Sequence, residues 1–179
     1  MKDKIKELCL NIKLLVSDVD GVLTDGKIYI SCDGLESKAF NVEDGTGVAI
    51  AKYANLPIAF LSGRYSKATE IRSKELKISH CIQGFLDKKN KLMELCNELN
   101  VSFDQVAYIG DGLVDIPVLN IVGFPISVPN AHSDVKKISK YTTKLRGGEG
   151  VLSEVVELIL KHQNKYYSTL DRMKKEKFN

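Results

Sequence analysis

The sequence predicts an α/β protein, a Rossmann-like three-layer fold with a central parallel sheet, and three observations carry that reading. Short apolar runs without period-two alternation, at 14–17, 57–61 and 106–109, have the composition of strands buried on both faces. Helix-like segments separate these runs, an alternation that indicates parallel strands joined by crossovers. Several runs also end on polar residues, Asp18, Ser62 and Asp111, at the edge where a parallel sheet binds its ligands. With 179 residues and 44% hydrophobic content, the chain suits one well-buried domain over 1–165 and a polar, solvated C-terminal tail over 166–179.

Composition narrows the function classes. The formal charge of +3 is small and its excess lies largely in 172–177, so no basic face argues for nucleic acid. Cys9, Cys32, Cys81 and Cys96 have neither metal-ligand spacing nor the density of a disulfide framework, and read as reduced thiols in a cytoplasmic protein. No apolar run approaches the ~20 residues of a membrane span, and residues 1–7 lack a signal-peptide core. A soluble, unexported protein without membrane or nucleic-acid partners is expected.

Residues 2–10 suit a short helix on the sheet edge. The first strand, 14–17, delivers Asp18 and Asp20 to a glycine-bearing bend at Gly21. Spaced by one residue on an extended backbone, the two carboxylates point the same way. Their repulsion is relieved by a retained proton or by a cation between them. A nucleophilic carboxylate beside a protonated one is the equipment for phosphoryl transfer through an aspartyl-phosphate. Runs 27–30 and 36–41, around the turn signal Cys32-Asp33-Gly34, predict a projecting β-hairpin. A helix then opens near Asp44 and Thr46, either of which suits its cap.

The second strand, 57–61, leads to Ser62-Gly63-Arg64 and a helix over 66–76, a junction where a hydroxyl and free amides suit a phosphate. A short strand at 80–82 precedes a Lys/Glu/Leu helix from Asp87 to about 100. Lys88 falls in its first turn, where the helix dipole favours anions, and therefore requires an anionic partner. The strand 106–109 ends in Gly110-Asp111-Gly112-Leu113-Val114-Asp115, with Asp111 placed as Asp18 is and Asp115 one helical turn further on. A fifth strand at 122–128, a short helix at 131–139, the break Gly147-Gly148-Glu149-Gly150 and a final helix over 151–162 complete the domain. His80, His132 and His162 are dispersed without ligand spacing.

The ordered set of Asp pair, serine, lysine-led helix and further aspartate resembles the haloacid dehalogenase superfamily of phosphohydrolases. Its four motifs are matched at Asp18-Val19-Asp20, Ser62, Lys88 and Gly110 to Asp115. Within it, Asp18 to Gly26, Lys38-Ala39-Phe40-Asn41-Val42, Asp44-Gly45, Ser62-Gly63-Arg64, Gln83-Gly84 and Gly147-Gly148-x-Gly150 resemble the capless phosphatases of keto-deoxy sugar acids, over about residues 10 to 162. The resemblance implies a Mg2+-dependent phosphomonoesterase assembled as a homotetramer, acting on the 8-phosphate of an eight-carbon sugar acid in lipopolysaccharide biosynthesis. It implies Asp18 as nucleophile, Asp20 as acid and base, Ser62 and Lys88 as catalytic, and Asp18, Asp111 and the Asp20 carbonyl as metal ligands. Gly21, Gly63, Arg64 and Glu149 fall at substrate-binding positions.

The chain departs from the family pattern twice, with Gly112 where an aspartate is usual and Glu149 where an arginine is common. Glu149 keeps open a second substrate, the 9-phosphate of a nine-carbon keto-deoxy acid. A third reading is a catalytically silent oligomerisation module, against which all five motif residues are present. The hairpin's Ile28, Tyr29, Ile30 and Phe40 call for cover by a second chain, which agrees with a tetramer whose sites are completed between subunits.

Overall fold

The computed structural model describes residues 2–177. In chain order the elements are α1 (Lys2–Asn11), β1 (Leu14–Ser17), β2 (Tyr29–Ile30), β3 (Glu36–Ser37), α2 (Val42–Tyr53), β4 (Ile58–Ser62), α3 (Lys67–Glu75), β5 (His80–Gln83), α4 (Lys88–Leu99), β6 (Val106–Gly110), α5 (Ile116–Leu119), β7 (Phe124–Ser127), α6 (Ser133–Ile138), β8 (Tyr141–Thr142), α7 (Val151–His162) and α8 (Tyr166–Lys177). Six strands form one parallel sheet in the order β5-β4-β1-β6-β7-β8. Strand β1 sits inside it, hydrogen-bonded to β4 and β6, and each of its residues is buried. The chain runs outward from β1 to β4 and β5, then returns to β6 on its other side. This reversal opens a crevice at the carboxyl ends of β1 and β6, where such sheets bind ligands.

Helices α1, α2, α7 and α8 pack on one another on one side of the sheet, and α4, α5 and α6 form a second group. In α7, Val151, Leu152, Val155, Val156, Ile159 and Leu160 make the apolar stripe of a core helix. Ser66 caps α3 and Asp87 caps α4, accepting the Thr69 and Asn90 amides. The fold agrees with the α/β reading.

Several boundaries differ from those the sequence suggests. Helix α1 packs mainly on α7. The hairpin ladder is only two residues long on each side, because Lys38 turns away from it and Asn41 caps α2 by accepting the Glu43 amide. Neither Asp44 nor Thr46 caps that helix; Asp44 is buried and accepts the Leu152 amide at the start of α7. Burial raises its pKa to about 6, opposed by the Leu152 and Ser153 amides. Of the segment read as a tail, residues up to Lys177 are helical in α8, and 178–179 lie outside the described residues. Tyr166, Thr169, Leu170 and Met173 form its inward stripe, at a spacing masked by the surrounding charges. The short elements α5 and β8 had no separate sequence signal.

Candidate active site

Asp18 follows the last residue of β1, and its amide donates to the Ile109 carbonyl, locking the turn onto β6. Its Oδ1 accepts the Val19 amide at 2.7 Å and its Oδ2 lies 2.8 Å from Lys88 Nζ. The bend that follows closes on the Val19 carbonyl, which accepts the Leu23 and Thr24 amides. Gly21 is required twice over: its φ is +86°, and a Cβ there would stand 2.1 Å from Asp111 Oδ2.

Lys88 opens α4 and is 1% exposed, with Asp115 Oδ1 at 2.7 Å as its second anionic partner. Burial alone would lower its pKa, but Asp18 and Asp115 outweigh this and raise it. The requirement that a lysine in the first helical turn meet an anion is satisfied by two. Asp115 is fully buried and fully engaged: Oδ1 also accepts the Tyr108 hydroxyl at 2.6 Å, and Oδ2 accepts the Asp111 and Gly112 amides at 3.0 Å.

Carboxylate oxygens of Asp18, Asp111 and Asp115 lie within 4.8 Å of one another. Burial raises the Asp111 pKa to about 7, with the Asp115 charge adding to it. Asp18 is raised well above the usual carboxylate range by burial and by Asp115, against the pull of Lys88. Two buried carboxylates and a half-buried one around a single lysine leave a deficit of positive charge. No other described residue donates a hydrogen bond to the Asp111 carboxylate, so its oxygens are available to a hard cation, whereas those of Asp115 are engaged. The donor set fits Mg2+ at Asp18 and Asp111.

The remaining expected residues surround this cluster unequally. Ser62 ends β4, buried, with its hydroxyl donating to the Arg64 carbonyl and accepting the Arg64 amide. A Cβ on Gly63 would touch Leu86 at 3.3 Å and Lys88 Cε at 3.8 Å, so its backbone lies against the lysine stem. Asp20 and Arg64 stand on a half-exposed rim, with Asp20 Oδ1 2.5 Å from Lys38 Nζ. Glu149 is exposed and turns back on its own loop, its Oε2 accepting the Arg146 amide. Among the described residues no hydrogen bond or ion pair joins it to the carboxylate cluster.

Sequence reasoning passed over Lys38, Tyr108, Thr24 and Asn130. Lys38 had a signal, since it lies two residues after Glu36 and so on the same strand face. Asn130 stitches two loops, donating to the Gly21 carbonyl and accepting the Gly147 amide. A Cβ on Gly147 would come within 1.9 Å of that carbonyl, which explains the glycine pair where the second loop lies on the first. Thr24 Oγ accepts the Gly21 and Gly26 amides.

A family model of haloacid dehalogenase-like hydrolases matches residues 51–155. The 3-deoxy-D-manno-octulosonate 8-phosphate phosphatase of Yersinia pestis is 42% identical over 91% of this chain and 87% of its own length. That of Escherichia coli K12 is 41% identical over 87% and 82%. The crystal structure of the corresponding phosphatase of Moraxella catarrhalis, in complex with magnesium ion, phosphate ion and KDO, superposes with a TM-score of 0.93 at 40% identity, covering 97% of this chain and 99% of that one.

Proposed function

The chain belongs to the 3-deoxy-D-manno-octulosonate 8-phosphate phosphatase family of haloacid dehalogenase-like hydrolases, and on that premise we propose that it hydrolyses this sugar phosphate through a phosphorylated Asp18. It is a Mg2+-dependent phosphomonoesterase. The observation that carries the residue assignment is the buried pairing of Asp18 with Lys88 beside the open carboxylate of Asp111.

A phosphate monoester dianion is repelled by Asp18, so positive charge is the first requirement. The Asp18 and Asp111 carboxylates and the Asp20 carbonyl would hold Mg2+, which when bound would supply most of that charge. Lys88 adds a fixed point charge beside the Asp18 carboxylate, and Tyr108 and Asp115 hold its ammonium in place. Ser62 and the backbone amides after Asp18 bind phosphoryl oxygens, for which the Ser62 hydroxyl must exchange its bonds to Arg64. Asp18 attacks phosphorus in line. Asp20 protonates the departing sugar oxygen, then takes a proton from the water that cleaves the phosphoaspartate. Gly21 and Gly63 keep the backbone close around the phosphate, and Arg64 binds substrate from the rim.

A homotetramer is proposed on the family resemblance and on the exposed apolar hairpin residues Ile28, Tyr29 and Ile30. In it Glu149 helps close a site between subunits. A single phosphatase domain, a cytoplasmic location and a place in lipopolysaccharide biosynthesis belong to the same reading. Glu149 favours one alternative, the nine-carbon keto-deoxy acid 9-phosphate, because a carboxylate there meets the sugar acid differently from the usual arginine.

The test is phosphate release from both sugar phosphates and a panel of neutral ones, with Mg2+ and with EDTA, by wild type and Asp18→Asn. EDTA should silence the enzyme and Mg2+ restore it. The folded Asp18→Asn variant should lose on the order of 10^4-fold or more, as loss of a nucleophile does. Substantial turnover by that variant would sink the mechanism.

A further inference from the structure

Four charged side chains close a ring at the outer edge of the site, and two of them, Lys38 and Glu36, have no part in the proposed reaction. Lys38 lies just past β3, and its side chain is fully shielded from solvent. Its Nζ donates to Asp20 Oδ1 at 2.5 Å and stands 3.6 Å from Glu36 Oε1. Arg64 completes the ring, with Nη2 2.8 Å from Glu36 Oε2 and Nη1 4.0 Å from Asp20 Oδ2.

The ring is uneven. Glu36 Oε1 is buried and accepts no hydrogen bond among the described residues, so Glu36 pairs with the ammonium by charge alone, at 3.6 Å. The hydrogen bond of Lys38 is to a single oxygen of Asp20. Burying a lysine costs desolvation, and on a short exposed hairpin the easy course for such a side chain is outward, into water. Here it turns inward onto one carboxylate. The two oxygens of Asp20 are thereby made different, since Oδ1 is held while Oδ2 accepts no hydrogen bond among the described residues.

The geometry points to Lys38 as a positioning residue that fixes the Asp20 carboxylate by holding Oδ1, leaving Oδ2 as the oxygen presented to the leaving group. Lys38 acts through Asp20. The inference rests on the reading of Asp20 as the acid, and it gives the hairpin a second task, because the orientation of Asp20 then depends on how the hairpin docks. Misplacement by about 1 Å of a group that must meet a reacting atom costs on the order of 10^2-fold in rate.

The experiment compares kcat/KM for wild type, Lys38→Met, Lys38→Arg, Asp20→Asn and the double variant Lys38→Met/Asp20→Asn, each confirmed as folded by circular dichroism. Three substrates are used: the keto-deoxy sugar acid phosphate, a neutral hexose 6-phosphate and p-nitrophenyl phosphate. The ratio kcat/KM reports events up to departure of the leaving group, and p-nitrophenolate departs with little help from an acid. Lys38→Met should lose on the order of 30-fold on both sugar phosphates and less than about 3-fold on the aryl phosphate. Lys38→Arg should restore most of the activity, and the double variant should be no slower than Asp20→Asn.

A loss confined to the carboxylate-bearing sugar would overturn the inference, marking Lys38 as a substrate contact. Equal losses on all three substrates, or additive losses in the double variant, would overturn it as well, marking Lys38 as a support of the hairpin only. Should Lys38→Met fail to fold, Lys38→Gln carries the same comparison. If Asp20→Asn itself shows no dependence on the leaving group, the assignment of Asp20 as acid fails and the inference with it. Dependence in Asp20→Asn without dependence in Lys38→Met removes only the inference.

Discussion

The inner and outer halves of the site use the same chemical groups under opposite conditions. Inside, Asp18, Lys88, Tyr108 and Asp115 are all buried, and the bonds among them are set by strand ends and by the first turn of α4. Outside, Asp20, Glu36 and Arg64 keep side-chain exposures of 25%, 21% and 44%, and are joined by long side chains from a two-residue hairpin ladder and a loop. Water reaches Asp20, Glu36 and Arg64 in the outer ring and is absent from the inner pairs, so an inner charge left unpaired is costly while one on those three side chains is resolvated; the shielded Lys38 ammonium is the exception. The difference separates two tasks. The nucleophile needs a fixed field before substrate arrives, and the substrate contacts at the rim need groups able to adjust to a sugar.

The largest effect that tests this division is Lys88→Met. It removes the cation that serves both Asp18 and Asp115, and should lower kcat on the order of 10^2 to 10^3-fold, as loss of a preorganised stabilising charge does. It should also lower stability by about 3 kcal/mol or more, because two carboxylates are left buried without that partner. Phosphate release and thermal melts read the two losses. A variant as active and as stable as wild type would remove the contrast between the halves.

Much of the inner half was legible in the sequence. Asp18, Lys88, Asp111 and Asp115 each follow a strand or open a helix, where local rules fix direction, and the misplaced charge of Lys88 in a first helical turn announced its partners. The outer half was harder to read. Lys38 was read only as part of the hairpin run 36–41, because the sequence does not say how short the hairpin ladder is or where the chain turns after it. Asp44 looked like a helix cap, and it is one, for α7 across the core rather than for α2. Asn130 and Tyr108 act through contacts distant in sequence, for which spacing gives no sign. The helix at 166–177 was hidden because its inward stripe is sparse among lysines and glutamates.

Tyr108→Phe and Arg64→Gln set one inner hydrogen bond against one outer charge. Loss of the Tyr108 hydroxyl leaves Asp115 Oδ1 with Lys88 alone, a deficit of about 1 kcal/mol that should appear as a fall of roughly 5-fold in kcat with little change in KM. Arg64, half exposed and paired at the rim, should mainly affect binding, raising KM about 3-fold with kcat nearly unchanged. Steady-state kinetics on the sugar phosphate separates the two. The reverse pattern, KM moved by Tyr108→Phe and kcat by Arg64→Gln, would break the division.

The smallest effect is expected at Gly112, the position where the family usually carries an aspartate. Its backbone, at φ −103° and ψ 163°, is open to any residue, and a Cβ there would meet nothing closer than Val114 Cγ2 at 3.7 Å and Asp115 Oδ2 at 3.8 Å. The glycine is therefore not demanded by sterics, unlike Gly21 or Gly147. What the site requires from position 112 is its amide, which donates to Asp115 and helps fix the carboxylate that orients Lys88, and every residue but proline supplies one. Gly112→Asp should keep that bond and leave kcat within about 2-fold, while the stability gained from the lower entropy of the unfolded chain is opposed by repulsion from Asp111 and Asp115, so that without Mg2+ the melting point should not rise. A new carboxylate near Asp111 should, if anything, lower the Mg2+ concentration needed for half-maximal activity. Magnesium titrations of wild type and variant measure this directly, and a change in kcat beyond about 10-fold would show that the inner half depends on a side chain at 112 that its geometry gives no reason to expect.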